Sequence, residues 1–120
     1  MLSHLRVLDL TDERGHFAGY LLAALGADVI AVEPPDGMGA RRLSPFVGDR
    51  PGTERSLTHL AYNQGKRSVV LDLTESGDRE RFLGLVAGAD VVVDSVSPGE
   101  LERLGLGGAA RPCRPAARRR

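Results

Sequence analysis

Four aspartates fall at or just beyond the ends of apolar runs that read as strands: Asp9, Asp12, Asp72 and Asp94. Carboxylates gathered at strand ends can hold Mg²⁺ or accept a phosphoryl group, as in a receiver-like signalling domain. Such a domain also uses a lysine ending a later strand, and no fifth strand is evident here. The simpler reading of these aspartates is that they cap helices. Lys66 and Arg67 are adjacent cations ahead of a strand, and Arg103 follows a later one. Together they can meet phosphate, or they are solvated surface charges. His4, His16 and His59 are scattered, without the spacing of a metal site. No serine sits in a nucleophile elbow. The glycine-rich dinucleotide fingerprint and the P-loop are both absent, which argues against NAD, FAD and direct ATP use.

These groups must be carried by secondary structure, and one repeat indicates which kind. Gly26-Ala27-Asp28-Val29 returns as Gly88-Ala89-Asp90-Val91. Each copy follows a helix-like apolar pattern and opens a β-branched run. A helix ending at glycine and leading into a buried strand, made twice, predicts a parallel α/β sheet. Ligands of such sheets bind at the carboxyl ends of the strands. Leu5-Arg6-Val7-Leu8-Asp9-Leu10 predicts the first strand, residues 28–33 the second, 68–73 the third and 90–96 the fourth. Phe17, Tyr20, Leu21, Ala24 and Leu25 give the first helix its apolar spacing, with Thr11 or Asp12 as its cap. Residues 34–65, rich in proline and glycine, are expected to be irregular. A second helix starts at Thr74 or Ser76, with Phe82, Leu83, Val86 and Ala87 inward. Pro98 suits the first position of a short last helix.

Apolar residues make up 42% of the 120 residues and aromatics only 4%, so Leu, Val and Ala must build the core. Sixteen basic and sixteen acidic residues cancel, and net charge gives no argument for nucleic acid or a membrane surface. No apolar run approaches the ~20 residues that span a bilayer, and the N-terminus does not read as a secretory signal. The single Cys113 rules out an internal disulfide, so a reducing, cytoplasmic setting is expected. Residues 107–120 change character, with arginine, alanine and proline dominant. They are expected to be a disordered basic tail, or a non-native one left by truncation or a shifted reading frame.

Four segments in order resemble the N-terminal part of family III CoA-transferases (CaiB/BaiF type). They are Leu5 to Leu10, Leu21 to Pro34 including the first Gly-Ala-Asp-Val, Asn63-Gln64-Gly65-Lys66-Arg67-Ser68 through Leu73, and Ala89 to Gly105. The resemblance implies a Rossmann-like α/β large domain, mostly parallel with flanking helices. Residues 2–106 form an incomplete N-terminal part of it. The implied activity is transfer of CoA from an acyl-CoA to a carboxylic acid through an aspartyl intermediate, by a homodimer without a tightly bound cofactor.

By the resemblance, Pro34, Leu71, Thr74, Arg103 and Leu104 lie near CoA, and Asp12, Glu13 and Arg14 lie beside the thioester arm. The loop holding the last three is a residue short of the family pattern and reads Gly15-His16 where Gly-Pro is common. None of Asp9, Asp12, Asp28, Asp72, Asp90 or Asp94 takes the nucleophile's place, so no catalytic residue is assigned and the chain alone is expected to be inactive. The alternative is a non-catalytic CoA-binding or dimerisation module. Surfaces meant for the rest of the family fold are then expected as exposed apolar patches.

Overall fold

The computed structural model describes residues 1–106; the expectations for the basic tail and Cys113 lie outside them. Four strands form one sheet: β1 (Arg6–Leu10), β2 (Asp28–Glu33), β3 (Arg67–Val70) and β4 (Val91–Asp94). Their order is β3-β2-β1-β4, and every pairing is parallel. The expected α/β class with flanking helices is therefore observed. Strand order reverses between β1 and β4, and a crevice opens outside the strand ends at such a reversal.

Side chains alternate across a strand, so β1 serves both faces of the sheet. Leu8 joins Ile30, Val32 and Leu71 under α3 (Ser76–Ala87) and α4 (Glu100–Arg103), against Phe82, Leu101 and Leu106. Val7 joins Val29 and Ala27 on the opposite face, against Leu22 and Ala23 of α1 (His16–Ala24). Asp9 shares that second face by the same alternation.

The two repeated glycines end their helices differently. Gly26 has φ +99°, and its N–H and that of Ala27 reach back to the carbonyls of Ala23 and Leu22. This is the left-handed closure that glycine favours. Gly88 has φ −98° and needs no such freedom. The aspartates of the repeat flank β1 at the amino end of the sheet. Asp28 pairs with Arg6 and Arg67, and Asp90 accepts the Arg6 backbone N–H at 2.8 Å.

Several local expectations are corrected. The N-cap of α1 is Gly15, not Thr11 or Asp12, and no side chain caps it. Asp12 is engaged instead with Arg14. The stripe Phe17, Leu21 and Leu25 faces outward, each residue more than 40% exposed, while His16, Gly19, Leu22 and Ala23 face the sheet. In α3, Leu83 is exposed and Leu85 packs inward. Helix α4 begins at Glu100 behind Gly99 (φ +86°), so Pro98 lies in the turn before it. The β2–β3 connection is more ordered than expected. It holds 3₁₀ turns at Gly39–Arg42 and Val47–Asp49 and the helix α2 (Leu57–Tyr62). Ser56 caps α2: its Oγ accepts the His59 N–H and donates to the Leu43 carbonyl. Six residues are too few for helical periodicity to register.

Leu57, Leu60 and Tyr62 of α2 are also exposed, and Phe17 meets Tyr62 edge-on at 6.1 Å. With the outer stripe of α1 they form an exposed apolar face. Among the described residues no helix is long and apolar enough to cross a membrane.

Candidate functional site

The loop after β1 and the segment after β4 border the crevice that the strand order creates. It is a cleft of about 360 Å³, floored by Leu10 and Val32 and walled by Thr11, Asp12, Arg14, Pro34, residues 36–39 and residues 95–97. That volume suits part of a nucleotide-sized ligand. A second groove of about 420 Å³ lies across Pro34, toward Arg41, Ser68 and Val70. Pro34 ends β2 and forms the ridge between the two.

A polar latch closes the crevice wall. Arg14 grips the Asp12 carboxylate at 2.7 to 3.1 Å and donates to the Ser95 carbonyl at 2.9 Å. Ser95 Oγ accepts the Asp12 N–H at 2.9 Å and donates to Asp12 Oδ1 at 3.0 Å. The latch thus joins the β1–α1 loop to the end of β4. Hydrogen bonding from Arg14 holds the Asp12 carboxyl well below the usual carboxylate range, so Asp12 stays charged in ordinary buffers.

Beneath α1 lies a buried ion pair. Lys66 Nζ is 2.6 Å from Asp9 Oδ2, with side-chain exposures of 2% and 0%. The contact is a charge pair without hydrogen-bond alignment at Oδ2. Asp9 Oδ1 accepts both the N–H and the Oγ1–H of Thr11, at 2.8 and 2.5 Å. Lys66 also donates to the His16 carbonyl and to Asn63 Oδ1, each at 2.9 Å. A second pair, Glu33 with Arg41, is nearly as buried, and Ser68 donates to the same carboxylate.

The candidate aspartates therefore separate. Asp9 is in its ion pair, Asp12 in the latch, Asp72 in an exposed turn with Thr74, and Asp94 on an exposed strand edge. Among the described residues no three His, Cys, Asp or Glu side chains are placed to share a metal ion. Lys66 and Arg67 do not act together as a phosphate fork. Lys66 is buried, and Arg67 turns to Asp28 at the amino end of the sheet.

Of the residues assigned by resemblance, Pro34 lines the cleft. Leu71 is buried in the apolar cluster under α3 and α4, and Leu104 packs half-buried against that cluster. Thr74 is exposed and donates to Asp72. Arg103 is exposed in the last turn of α4, with no ion-pair partner among the described residues. The structure thus brings Leu71 and Leu104 together and leaves Thr74 and Arg103 as surface groups. Ser95 and the pairing of Asp9 with Lys66 escaped the reading of the sequence. Their partners are remote in the chain, and no local spacing marks them.

His4 is exposed. His16 is buried, stacked on Tyr62 with ring centroids 5.2 Å apart, and its Nδ1 has no partner among the described residues. His59 is also buried, with Nδ1 3.3 Å from the Asn63 amide. Burial, helped by the Lys66 charge, pushes His16 below the ordinary histidine value despite Asp9, Glu13 and Asp12 nearby. Burial, with Arg41 next, does the same for His59. The unfolded chain then takes up protons near pH 6.5 that the folded chain refuses, so stability falls as pH drops below that value. His16→Phe keeps the stacking ring without the titration. Urea unfolding at pH 7.5 and 5.5 should show a smaller loss for this variant than for the wild type.

Comparison with known proteins agrees with this architecture. The model of the family described as CoA-transferase family III matches residues 2–114. The succinyl-CoA:(R)-benzylsuccinate CoA-transferase subunit BbsE of Thauera aromatica is 46% identical over 104 residues, covering 87% of this chain and 25% of that protein. The succinyl-CoA:mesaconate CoA-transferase of Haloarcula hispanica is 45% identical over 107 residues, covering 88% of this chain and 27% of that one. Among solved structures, the Mycobacterium tuberculosis protein Rv3272 superposes with a TM-score of 0.75 at 40% identity, over 86% of this chain and 27% of that one. A CAIB/BAIF family protein from Brucella suis gives 0.74 at 39% identity, over 88% and 28%. The chain spans about a quarter of the length of these relatives. Its sequence and its four-stranded parallel sheet agree, and the chain belongs to CoA-transferase family III.

Proposed function

We propose that this chain supplies a CoA-binding wall for transfer of CoA between an acyl-CoA and a carboxylic acid. In this reading residues 2–106 are the N-terminal part of a Rossmann-like large domain. The observation that carries it is the cleft at the reversal of strand order, with Pro34 on its rim and Glu100 of α4 in its lining. One turn beyond Glu100 stands Arg103, an exposed cation without an ion-pair partner among the described residues and suited to a nucleotide phosphate. Leu71 and Leu104 pack in the apolar cluster beneath α4. Of the three aspartates nearest the cleft, Asp9 is sealed in an ion pair, Asp12 is held by Arg14, and Asp36 stands exposed on the rim with only Arg42 beside it at 3.9 Å. Covalent catalysis needs a placed as well as a reactive group, so the chain by itself binds and does not transfer.

Titration calorimetry with CoA tests this reading. Binding is expected for the wild type, and Arg103→Ala should weaken it about tenfold or more, as expected for a lost charge-assisted bond to phosphate. Equal affinity for the two proteins would remove Arg103 from the wall. Absence of binding to the wild type would remove the wall itself. An assay with succinyl-CoA and acetate should show no transfer. The apolar face of α1 and α2 favours a second reading, a docking or dimerisation module, which predicts self-association without CoA affinity.

A further inference from the structure

We propose that the buried Asp9–Lys66 pair is a positioning device that sets the β1–α1 loop against the cleft; the inference rests on the cleft being the CoA site. The loop, residues 11–15, hangs between two points that the pair controls. At its start, Asp9 Oδ1 holds Thr11 by both N–H and hydroxyl. At its end, Lys66 holds the carbonyl of His16, the first residue of α1. Lys66 reaches these groups from the turn before β3, where Asn63 takes another of its protons. One ammonium thus joins the end of β1, the start of α1 and the entry to β3.

The side of the loop away from this anchor faces the cleft and carries Asp12 and Arg14, which latch to Ser95. The latch is solvent-accessible and built from a flexible arginine, with Arg14 67% exposed, so it follows the loop rather than fixing it. The pair beneath is dry and charged at both ends. A charge in such a place gains more from its partner than an exposed one does. The hierarchy runs from buried pair to Thr11, then to the latch, then to the cleft wall. Asp9 and Lys66 touch no ligand in this scheme; they act through Thr11 and the His16 carbonyl.

Two variants of the full chain separate positioning from bulk stability. Thr11→Val keeps the ion pair and the Thr11 shape but cuts the hydroxyl tie. Asp9→Asn keeps the shape and an oxygen for Thr11, but the neutral amide holds Thr11 more weakly than the carboxylate and no longer pairs with Lys66. Gly26→Ala serves as the control: it strains the far end of α1, at a φ of +99°, away from the cleft. Amide hydrogen exchange by NMR should speed up about tenfold or more at residues 11 and 12 in both test variants, as expected when a local hydrogen-bonded unit opens. In β2, exchange should change no more than in the control. CoA affinity should fall at least about fivefold in both test variants and stay unchanged in Gly26→Ala. Loop exchange that is unaltered, or that rises only in step with β2, overturns the proposal. Should Asp9→Asn fail to fold, Thr11→Val decides alone. Loop exchange behaving as expected in a chain that binds no CoA would support the positioning role and remove the CoA reading.

Discussion

Gly19→Ala is expected to destabilise the chain by about 3 kcal/mol or more, although alanine favours helix over glycine by about 1 kcal/mol. Gly19 lies in α1 and faces the sheet, directly over the Asp9–Lys66 pair. A methyl group there would overlap Asp9 Oδ2 and stand 3.0 Å from both Cε and Nζ of Lys66. Neither neighbour can give way cheaply. Asp9 is held from its other oxygen by Thr11, and Lys66 is held by His16 and Asn63. Relief requires lifting α1 off the sheet, which also uncovers Val7 and Val29. Gly84→Ala in α3 supplies the contrast. Its position is exposed and a methyl group would meet nothing within 4 Å, so the intrinsic preference should stabilise by about 0.5–1 kcal/mol. Urea titrations of the two variants should move in opposite directions. A neutral Gly19→Ala would mean that α1 does not press on the pair.

The same glycine explains where the sequence was legible. Strands were readable because parallel strands buried on both faces are nearly continuous apolar runs, such as Val29-Ile30-Ala31-Val32. The repeat marked the two βα boundaries, although only Gly26 uses the left-handed backbone. The orientation of α1 was not readable. Phe17, Leu21 and Leu25 look like a core stripe, yet the helix buries His16 and Gly19 and packs Leu22 half-buried instead. Helical periodicity finds apolar stripes and cannot rank two of them on one helix. What ranks them here is a charge pair assembled from β1 and the turn before β3, which lets only a glycine face approach. The site divides in the same way. Pro34, which lines the cleft, follows from a short segment and its resemblance to a family. The latch of Asp12 and Arg14 to Ser95 depends on β4 lying beside β1, which chain-local patterns do not encode.

Lys66→Met should be the costliest single change in charge, about 3–5 kcal/mol, because it leaves the Asp9 carboxylate buried and uncompensated. Against the about 5–15 kcal/mol that stabilises a domain, this is a large fraction. The pair itself need not be strongly stabilising. Much of its attraction offsets the cost of taking both charges out of water, so removing both should hurt less than removing one. Asn in place of Asp9 retains an oxygen for the Thr11 N–H and hydroxyl, which would otherwise be buried without a partner. The double variant Asp9→Asn/Lys66→Met should therefore be more stable than Lys66→Met alone, by about 1–3 kcal/mol. At the amino end of the sheet the arithmetic differs. Arg67 is 62% exposed and its partner Asp28 has Arg6 as well, so Arg67→Met should cost at most about 1 kcal/mol. Denaturant midpoints for these three variants form the test. A Lys66→Met protein no weaker than Arg67→Met would show that water reaches Asp9, and the dry anchor beneath the cleft loop would then be lost.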